Sequence, residues 1–230
     1  MRVPLAIIVA LFVALCGPAR ADDAPPVDVQ LVLAIDSSSS VTMDEYYLQL
    51  EGYSAAFKHP DLLKAIQSGP QRAVAVMLFE WSSPGQQVVN FPWRILSDEA
   101  SVMAFADELA VAPRLVIGGE TAIGDAIVYG MKLFDSRAGQ GGRRVIDISG
   151  DGVSNRGSDV VTARDAAVFA GITINGVAIL NEEPNLDTYY KAFVVGGNGS
   201  FALAARDYGD FQDVIVKKLV REVTTIAAAP

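Results

Sequence analysis

Oxygen-bearing side chains follow directly on an apolar run near the start of the chain. The run "LVLAID" ends on Asp36, and four serines come after it. Alternate side chains of an extended backbone face the same side. Asp36, Ser38 and Ser40 are therefore predicted to lie together, with Ser37 and Ser39 facing away as spacers. Three oxygen ligands on one side of a loop suit a hard cation.

Two further loops carry oxygen atoms of the same kind. Thr121 lies in "VIGGET" and Asp151 in "SGDG". If these loops meet the first one, two carboxylates and three hydroxyls, together with water, complete an octahedron around Mg2+. Ca2+ usually has more carboxylate and carbonyl ligands, so Mg2+ is the predicted ion, and Mn2+ and Ca2+ are the alternatives. A phosphate-binding reading of "VIGGET" is disfavoured because the loop lacks the P-loop lysine and the GxGxxG pattern.

The elements that must position these loops alternate between two periodicities. Buried strands are predicted at "VDVQLVLAID", "RAVAVMLFEW", "RRVIDISGDG" and "GITINGVAIL". Helices are predicted over residues 43–57, 61–66, 98–109, 122–134, 158–170 and 207–223. The run "QQVVNFPWRIL" is predicted to be an antiparallel edge strand, because proline is excluded from the middle of a sheet.

This alternation predicts an α/β fold: a doubly wound, mostly parallel sheet with helices on both faces. In such sheets, sites form outside the carboxyl ends of the strands. Asp36, Thr121 and Asp151 are then expected on one rim. Thr42 and Glu45 form a capping-box pattern, so a helix is predicted to start immediately after the serines.

The N-terminus reads as a leader rather than as part of the fold. Residues 1–21 have the basic, apolar and small-residue regions of a signal peptide, with an uncleaved anchor as the alternative. Residues 22–26 are a short lead, 27–223 a single domain and 224–230 a tail expected to fray. The sequence thus predicts a secreted or periplasmic protein that is not inserted in the membrane after cleavage.

Composition narrows the function further. The net charge is −9, and removing Arg2 and Arg20 with the leader makes the chain more acidic, which argues against binding nucleic acid or anionic lipid. Cys16, the sole cysteine, lies in the leader, so no disulfide is expected. With His59 as the one histidine and no GxSxG motif, neither a conventional zinc site nor a Ser-His-Asp triad is favoured.

The residues at the predicted rim resemble a known family, the von Willebrand factor type A domain, to which the integrin I domains belong. "DSSSS" matches the DxSxS motif of its metal-ion-dependent adhesion site, "GGET" its threonine loop and "SGDG" its aspartate loop. The resemblance implies a Rossmann-like fold in which Ser38 and Ser40 contact the metal directly and Thr121 does so in the ligand-competent state. Asp36 and Asp151 would act directly or through water. Glu120, beside Thr121, is a departure that adds a charge near the site.

The predicted function is recognition rather than catalysis. Neutral hydroxyls leave much of the cation's charge uncancelled, so the cation would attract an Asp or Glu side chain of a protein partner. The chain also resembles secreted bacterial proteins that carry this domain almost alone. Two alternatives stay open: a hydrolase in which Asp36 or Asp151 positions water on the metal, and a structural subunit of an envelope assembly in which the metal braces three loops.

Overall fold

A computed structural model describes residues 24–136 and 141–224, and it contains one six-stranded sheet. The predicted leader, Asp22 and Asp23 of the lead, and residues 225–230 of the tail lie outside the described residues. The strands are β1 Val29–Asp36, β2 Val74–Trp81, β3 Gln87–Leu96, β4 Arg143–Gly150, β5 Ile172–Ile179 and β6 Ala202–Ala205. Their order is β3-β2-β1-β4-β5-β6. Only β3 pairs antiparallel, with β2, so the predicted fold class is confirmed.

Helices cover both faces of this sheet. They are α1 Met43–Lys58, α2 Pro60–Ser68, α3 Glu99–Ala110, α4 Ile123–Leu133, α5 Val160–Phe169, α6 Leu186–Tyr189 and α7 Tyr208–Thr224. One core joins β1 and β2 to α1, α2, α3 and α7, and a second core joins the opposite face to α4, α5 and α6. Burial on both faces explains why β1, β2 and β5 are apolar along nearly their whole length.

Two elements were not predicted. The strand β6 is only four residues long, and "ALAA" contains no β-branched residue to indicate a strand. The short helix α6 continues into a π-helical turn, Tyr190–Val194, which has no distinct sequence pattern. The predicted edge strand is confirmed: β3 has Pro92 within it, and its residues are only partly buried.

The strand order creates a switch point between β1 and β4. From β1 the chain crosses to β2 on one side, whereas β4 pairs with the other side of β1. Loops that leave neighbouring strands in opposite directions open a crevice at the carboxyl edge. Asp36 ends β1 and Asp151 follows β4, so both residues lie at this crevice.

A cluster of three charged side chains lies inside the first core. Lys218 of α7 forms ion pairs with Asp147 of β4 and with Glu222 one turn further along α7, and all three side chains are fully buried. The Glu222 carboxylate also accepts a hydrogen bond from Asn175 on β5. This cluster therefore ties the C-terminal helix to the two strands beneath it. Within residues 24–136 and 141–224, no helix has the length and apolarity needed to cross a membrane.

Candidate metal centre

The loop after β1 connects four of the five predicted ligand residues. Asp36 Oδ1 accepts a hydrogen bond from the amide of Ser38 at 2.8 Å. The hydroxyl oxygens of Ser38 and Ser40 are 3.3 Å apart, and Ser40 donates to Asp151 Oδ1 at 2.7 Å. The predicted capping box is present, since Thr42 and Glu45 exchange hydrogen bonds at the start of α1. The helix thus begins directly behind the serine loop.

Asp151 is held from its other side by the C-terminal helix. The phenol of Tyr208, the first residue of α7, donates to Asp151 Oδ2 at 3.0 Å. Burial raises the pKa of the Asp151 carboxyl, although the hydrogen bonds from Ser40 and Tyr208 oppose that shift. Tyr208 was not among the predicted site residues, because the sequence gives no sign that α7 begins beside the β4 loop.

Thr121, the fifth predicted ligand, is buried, and its backbone is bonded to the loop that carries Asp151. Its amide donates to Asn155 Oδ1 at 2.9 Å, and its carbonyl accepts from the Asn155 amide at 2.9 Å. The Thr121 hydroxyl makes no hydrogen bond to any residue in the described part of the chain. It lies 3.5 Å from the point that a Cβ at Gly152 would occupy, so it faces the loop that carries Asp151. All five predicted residues therefore meet at one rim.

The charge on Asp36 is poorly satisfied by the protein. Its Oδ2 is buried and has no hydrogen-bond partner among the residues that the structure describes. Burial, followed by repulsion from Asp151, raises the pKa of Asp36 to about 7. The same region of the core contains the buried phenol of Tyr190, which also lacks a described partner. A Cβ at Gly150 would lie 2.7 Å from Asp36 Oδ2 and 3.0 Å from this phenol, so only glycine fits there.

Arg114 holds the serine loop from behind, a role that sequence reasoning missed. Its guanidinium donates to the carbonyl oxygens of Ser37, Ser38 and Val41 at 2.7, 3.2 and 2.8 Å. It also donates to the Ser37 hydroxyl at 2.9 Å. The arginine neutralises no metal-site carboxylate by direct contact. It orients the loop so that alternate hydroxyls face the rim.

The predicted parity of the serines agrees with these contacts, but Ser37 is more than a spacer. Its hydroxyl is fully buried and donates to the carbonyl of Val116 at 2.9 Å. Ser39 is exposed, and its hydroxyl accepts a hydrogen bond from the Gly119 amide at 2.9 Å. Both side chains therefore face the loop before Thr121 and away from Asp151.

Glu80, at the penultimate position of β2, is a second residue that was not predicted. Its fully buried carboxylate accepts hydrogen bonds from the amides of Leu115 and Val116 and from the phenol of Tyr46 at 2.6 Å. A charged residue in the apolar strand "VAVMLFEW" was the available signal. The Asn90 amide also donates to this carboxylate at 2.5 Å, but the contacts with Tyr46, Leu115 and Val116 are made 34 to 36 residues away along the chain, which no local pattern reveals.

Glu120 does not leave a free charge near the centre. Arg156, on the Asp151 loop, donates to both of its carboxylate oxygens. This ion pair lowers the pKa of the exposed Glu120 carboxyl. Across the described residues, no three His, Cys, Asp or Glu side chains are grouped so as to hold a metal. Any metal at this rim must therefore be held by hydroxyls as well as by the two aspartates.

The comparisons with known proteins agree with this fold. A family model described as "Protein of unknown function (DUF1194)" matches residues 26–227. No curated protein sequence matches the chain.

Solved structures with a similar fold have little sequence identity to this chain. Proximal thread matrix protein 1 from the mussel byssus is 16% identical over 87% of this chain and 48% of its own, with a TM-score of 0.60. A von Willebrand factor type A structure from Catenulispora acidiphila is 16% identical over 86% of this chain and 43% of its own, with a TM-score of 0.59. BatB from Bacteroides thetaiotaomicron is 18% identical over 86% of this chain and 100% of its own, with a TM-score of 0.52. The chain thus spans about half the length of the first two structures, and its fold is von Willebrand factor type A-like.

Proposed function

The chain belongs to the DUF1194 family of unknown function, and we propose that it binds Mg2+ at this rim and uses the ion to engage an acidic group of a protein partner. The observation that carries the proposal is the buried Asp36 Oδ2, which has no partner in the described chain and lies near a second carboxylate. A buried, unpaired anion is costly. A cation is the species that would remove this cost.

The donor set fits a hard divalent ion. Asp36 and Asp151 supply carboxylate oxygens, while Ser38, Ser40 and Thr121 supply hydroxyls. All five ligands are oxygen atoms, as Mg2+ prefers, and a site with no histidine or thiol does not favour softer metals. Mn2+ and Ca2+ are the alternatives. One structure of the mussel thread protein is described with a zinc-occupied MIDAS motif; it is 14% identical to this chain, so it supports the fold of the site and not the choice of ion.

The chain's own residues would orient the site for recognition. Three of the five proposed ligands are neutral, so the bound ion would keep an electrophilic position for an outside carboxylate. Arg114 fixes the serine loop, and Tyr208 and Ser40 hold the Asp151 carboxylate in place. These contacts prepare the site before a partner arrives, which reduces the entropic cost of binding.

The proposed role is not enzymatic. The two arginines near the centre are engaged elsewhere, Arg114 with backbone carbonyls and Arg156 with Glu120. His59 accepts a hydrogen bond from Asp61 at the start of α2. It lies at the end of α1 opposite the serine loop, about 24 Å away for a 16-residue helix. Hydrolysis would use a general base and an anion clamp. These three residues therefore supply neither of them.

We propose that the protein binds its partner outside the cytoplasm. The support is the leader-like pattern of residues 1–21, and the acidic chain is unsuited to nucleic acid. A secreted or periplasmic location follows from that pattern. The partner's identifying chemistry is an exposed Asp or Glu side chain.

Isothermal titration with Mg2+ tests the site, and capture of acidic peptides with and without EDTA tests the function. The Asp36→Ala protein should lose both Mg2+ binding and capture. Asp44→Ala is the matched control, because Asp44 is an exposed carboxylate in the first turn of α1 and should leave both unchanged. Mg2+ binding without Mg2+-dependent capture would favour the structural role. Turnover of phosphoester or acyl substrates that depends on Asp36 would favour the hydrolase.

A further inference from the structure

The loop between α3 and Thr121 presents apolar side chains to solvent. Val111 is 80%, Leu115 47% and Ile117 76% exposed, while Val116 between the last two is buried. Exposed apolar residues that cluster on one segment are typical of an interaction surface. We call this segment, residues 111–117, the apolar loop.

The apolar loop is held rigidly in spite of its exposure. The amides of Leu115 and Val116 both donate to the buried Glu80 carboxylate, at 3.0 and 2.7 Å. The phenol of Tyr46 approaches the Pro113 carbonyl at 3.4 Å, and Arg114 donates to the Val116 carbonyl at 2.8 Å. The backbone polar groups thus point inward while the apolar side chains point outward. A surface fixed in this way loses little entropy when a partner binds.

A cavity lies beside the apolar loop. It has a volume of about 310 Å3, and its apolar wall is formed by Phe91, Val111, Ala112, Pro113 and Leu115. Asn90 and Glu108 supply its polar edge. The cavity is large enough to receive one bulky apolar side chain. It is not part of the candidate metal centre, and none of the five proposed ligands lines it.

Hydrogen bonds and strand pairing connect the cavity to the metal centre. Arg114, within the apolar loop, donates to the carbonyls of Ser37 and Ser38. Phe91 of β3 pairs with β2, and β2 pairs with β1, which ends on Asp36. Two strand spacings of 4.7–4.9 Å place β3 about 10 Å across the sheet from β1. The register puts Phe91 level with Leu33, three residues or about 10 Å before Asp36, so Phe91 lies about 14 Å from Asp36. An extended peptide covers this span in about four residues.

We propose that the partner presents an extended segment in which an Asp or Glu binds at the metal centre and a bulky apolar residue, four or five positions away, enters this cavity. The inference rests on the proposed function and specifies its partner. The two contacts are complementary to the surface, since a carboxylate meets the cation and an apolar side chain meets apolar walls. A peptide with only the carboxylate would bind more weakly, because one contact alone would have to offset the entropic cost of association.

Synthetic peptides provide the test. Fluorescent nonapeptides of Gly and Ser would each carry one Glu and one Phe, with one to six positions between them in either direction, and their polarisation would be measured with Mg2+ or EDTA. We expect a Mg2+-dependent optimum with three or four positions between the Glu and the Phe. The Leu115→Ser protein should bind the optimal peptide about tenfold more weakly and keep its Mg2+ affinity. Phe169→Ser is the matched control, because Phe169 is 95% exposed on α5 and lines no part of this cavity.

The outcomes separate this inference from the proposed function. Mg2+-dependent binding that ignores both the Phe position and Leu115→Ser would overturn the inference and leave the proposed function standing. Absence of any Mg2+-dependent binding, with Mg2+ affinity intact, would overturn both. A concentration-dependent dimer that Leu115→Ser abolishes would show that the cavity receives a second copy of the chain, which also overturns the inference.

Discussion

Two pairs of buried carboxylates lie in this protein, and they differ in what neutralises them. Asp36 and Asp151 lie at the carboxyl edge of the sheet, whereas Asp147 and Glu222 lie in its interior. Burial followed by the neighbouring carboxylate raises the pKa of Asp36 and that of Asp147 to about 7 in each case. In the interior pair, the Lys218 ammonium contacts both carboxylates. At the edge, the contacts of Asp151 come from the hydroxyls of Ser40 and Tyr208, which carry no charge.

The difference separates a structural cluster from a binding site. Lys218 is a cation supplied by the chain itself, so the interior cluster is complete when the protein folds. Among the described residues, no lysine or arginine forms an ion pair with Asp36 or Asp151, and Arg114, whose charge lowers the pKa of Asp36, is directed at backbone carbonyls. A charge left unneutralised at a crevice is costly unless a ligand neutralises it. The following predictions test this contrast.

Replacing Lys218 should have the largest effect. Lys218→Met keeps much of the side-chain volume but leaves two buried carboxylates without their cation, so the free energy of unfolding should fall by about 3–5 kcal/mol. Urea denaturation measures this change. Lys64→Met is the control, because Lys64 makes an exposed ion pair with Asp61, and its loss should have little effect. A change below about 1 kcal/mol for Lys218→Met would mean that the interior cluster does not depend on its own cation.

Stability in the absence of metal should decrease as the pH rises. Asp36 and Asp147 have a pKa of about 7 in the folded protein, raised from 3.8, so the folded state binds more protons than the unfolded state between these values. Each of the two carboxyls should therefore lower the free energy of unfolding by about 2–3 kcal/mol between pH 5 and pH 8. Denaturation in EDTA at both pH values measures it.

Magnesium should reverse the part of this loss that comes from the edge. At pH 8, saturating Mg2+ should stabilise the protein by binding at Asp36. The loss of stability that comes from Asp147 should remain, because Lys218 already occupies the interior cluster. Equal stability at pH 5 and pH 8 in EDTA would contradict the raised pKa of both groups.

The substitution Asp36→Asn should change stability in the opposite direction from Lys218→Met. Asparagine keeps the acceptor for the Ser38 amide and removes the buried charge, so the metal-free protein at pH 8 should gain about 2 kcal/mol. Stabilisation by Mg2+ should be lost in the same protein. Thermal unfolding with EDTA and with Mg2+ provides both measurements. A protein destabilised to the same degree as Lys218→Met would place Asp36 in a structural role.

The sequence predicts the five ligand candidates better than it predicts the residues that support them. Asp36 and Asp151 follow apolar runs, and the strand-end rule places them at one crevice without any knowledge of distances. Arg114 and Tyr208 belong to segments far along the chain, and their contacts depend on how the loop before Thr121 and the start of α7 pack against the serine loop and Asp151. Lys218 lies on an amphipathic helix, where a lysine is usually solvated. Its burial follows from Asp147 lying in a β-strand beneath it.

The smallest effects are expected within the serine loop, where binding residues and structural residues alternate along the chain. Ser38→Ala and Ser40→Ala remove hydroxyls that face the rim, and each should weaken Mg2+ binding about tenfold by titration calorimetry, since a lost hydrogen-bonding or ligand group contributes about 1–2 kcal/mol. Ser39→Ala removes a hydroxyl that accepts from Gly119 and faces away, so Mg2+ affinity should change less than twofold. Ser37→Ala should lower stability and not affinity, because its buried hydroxyl donates to Val116 and accepts from Arg114. Equal losses of affinity in all four proteins would show that the loop acts as a whole and that the alternation of its side chains carries no function.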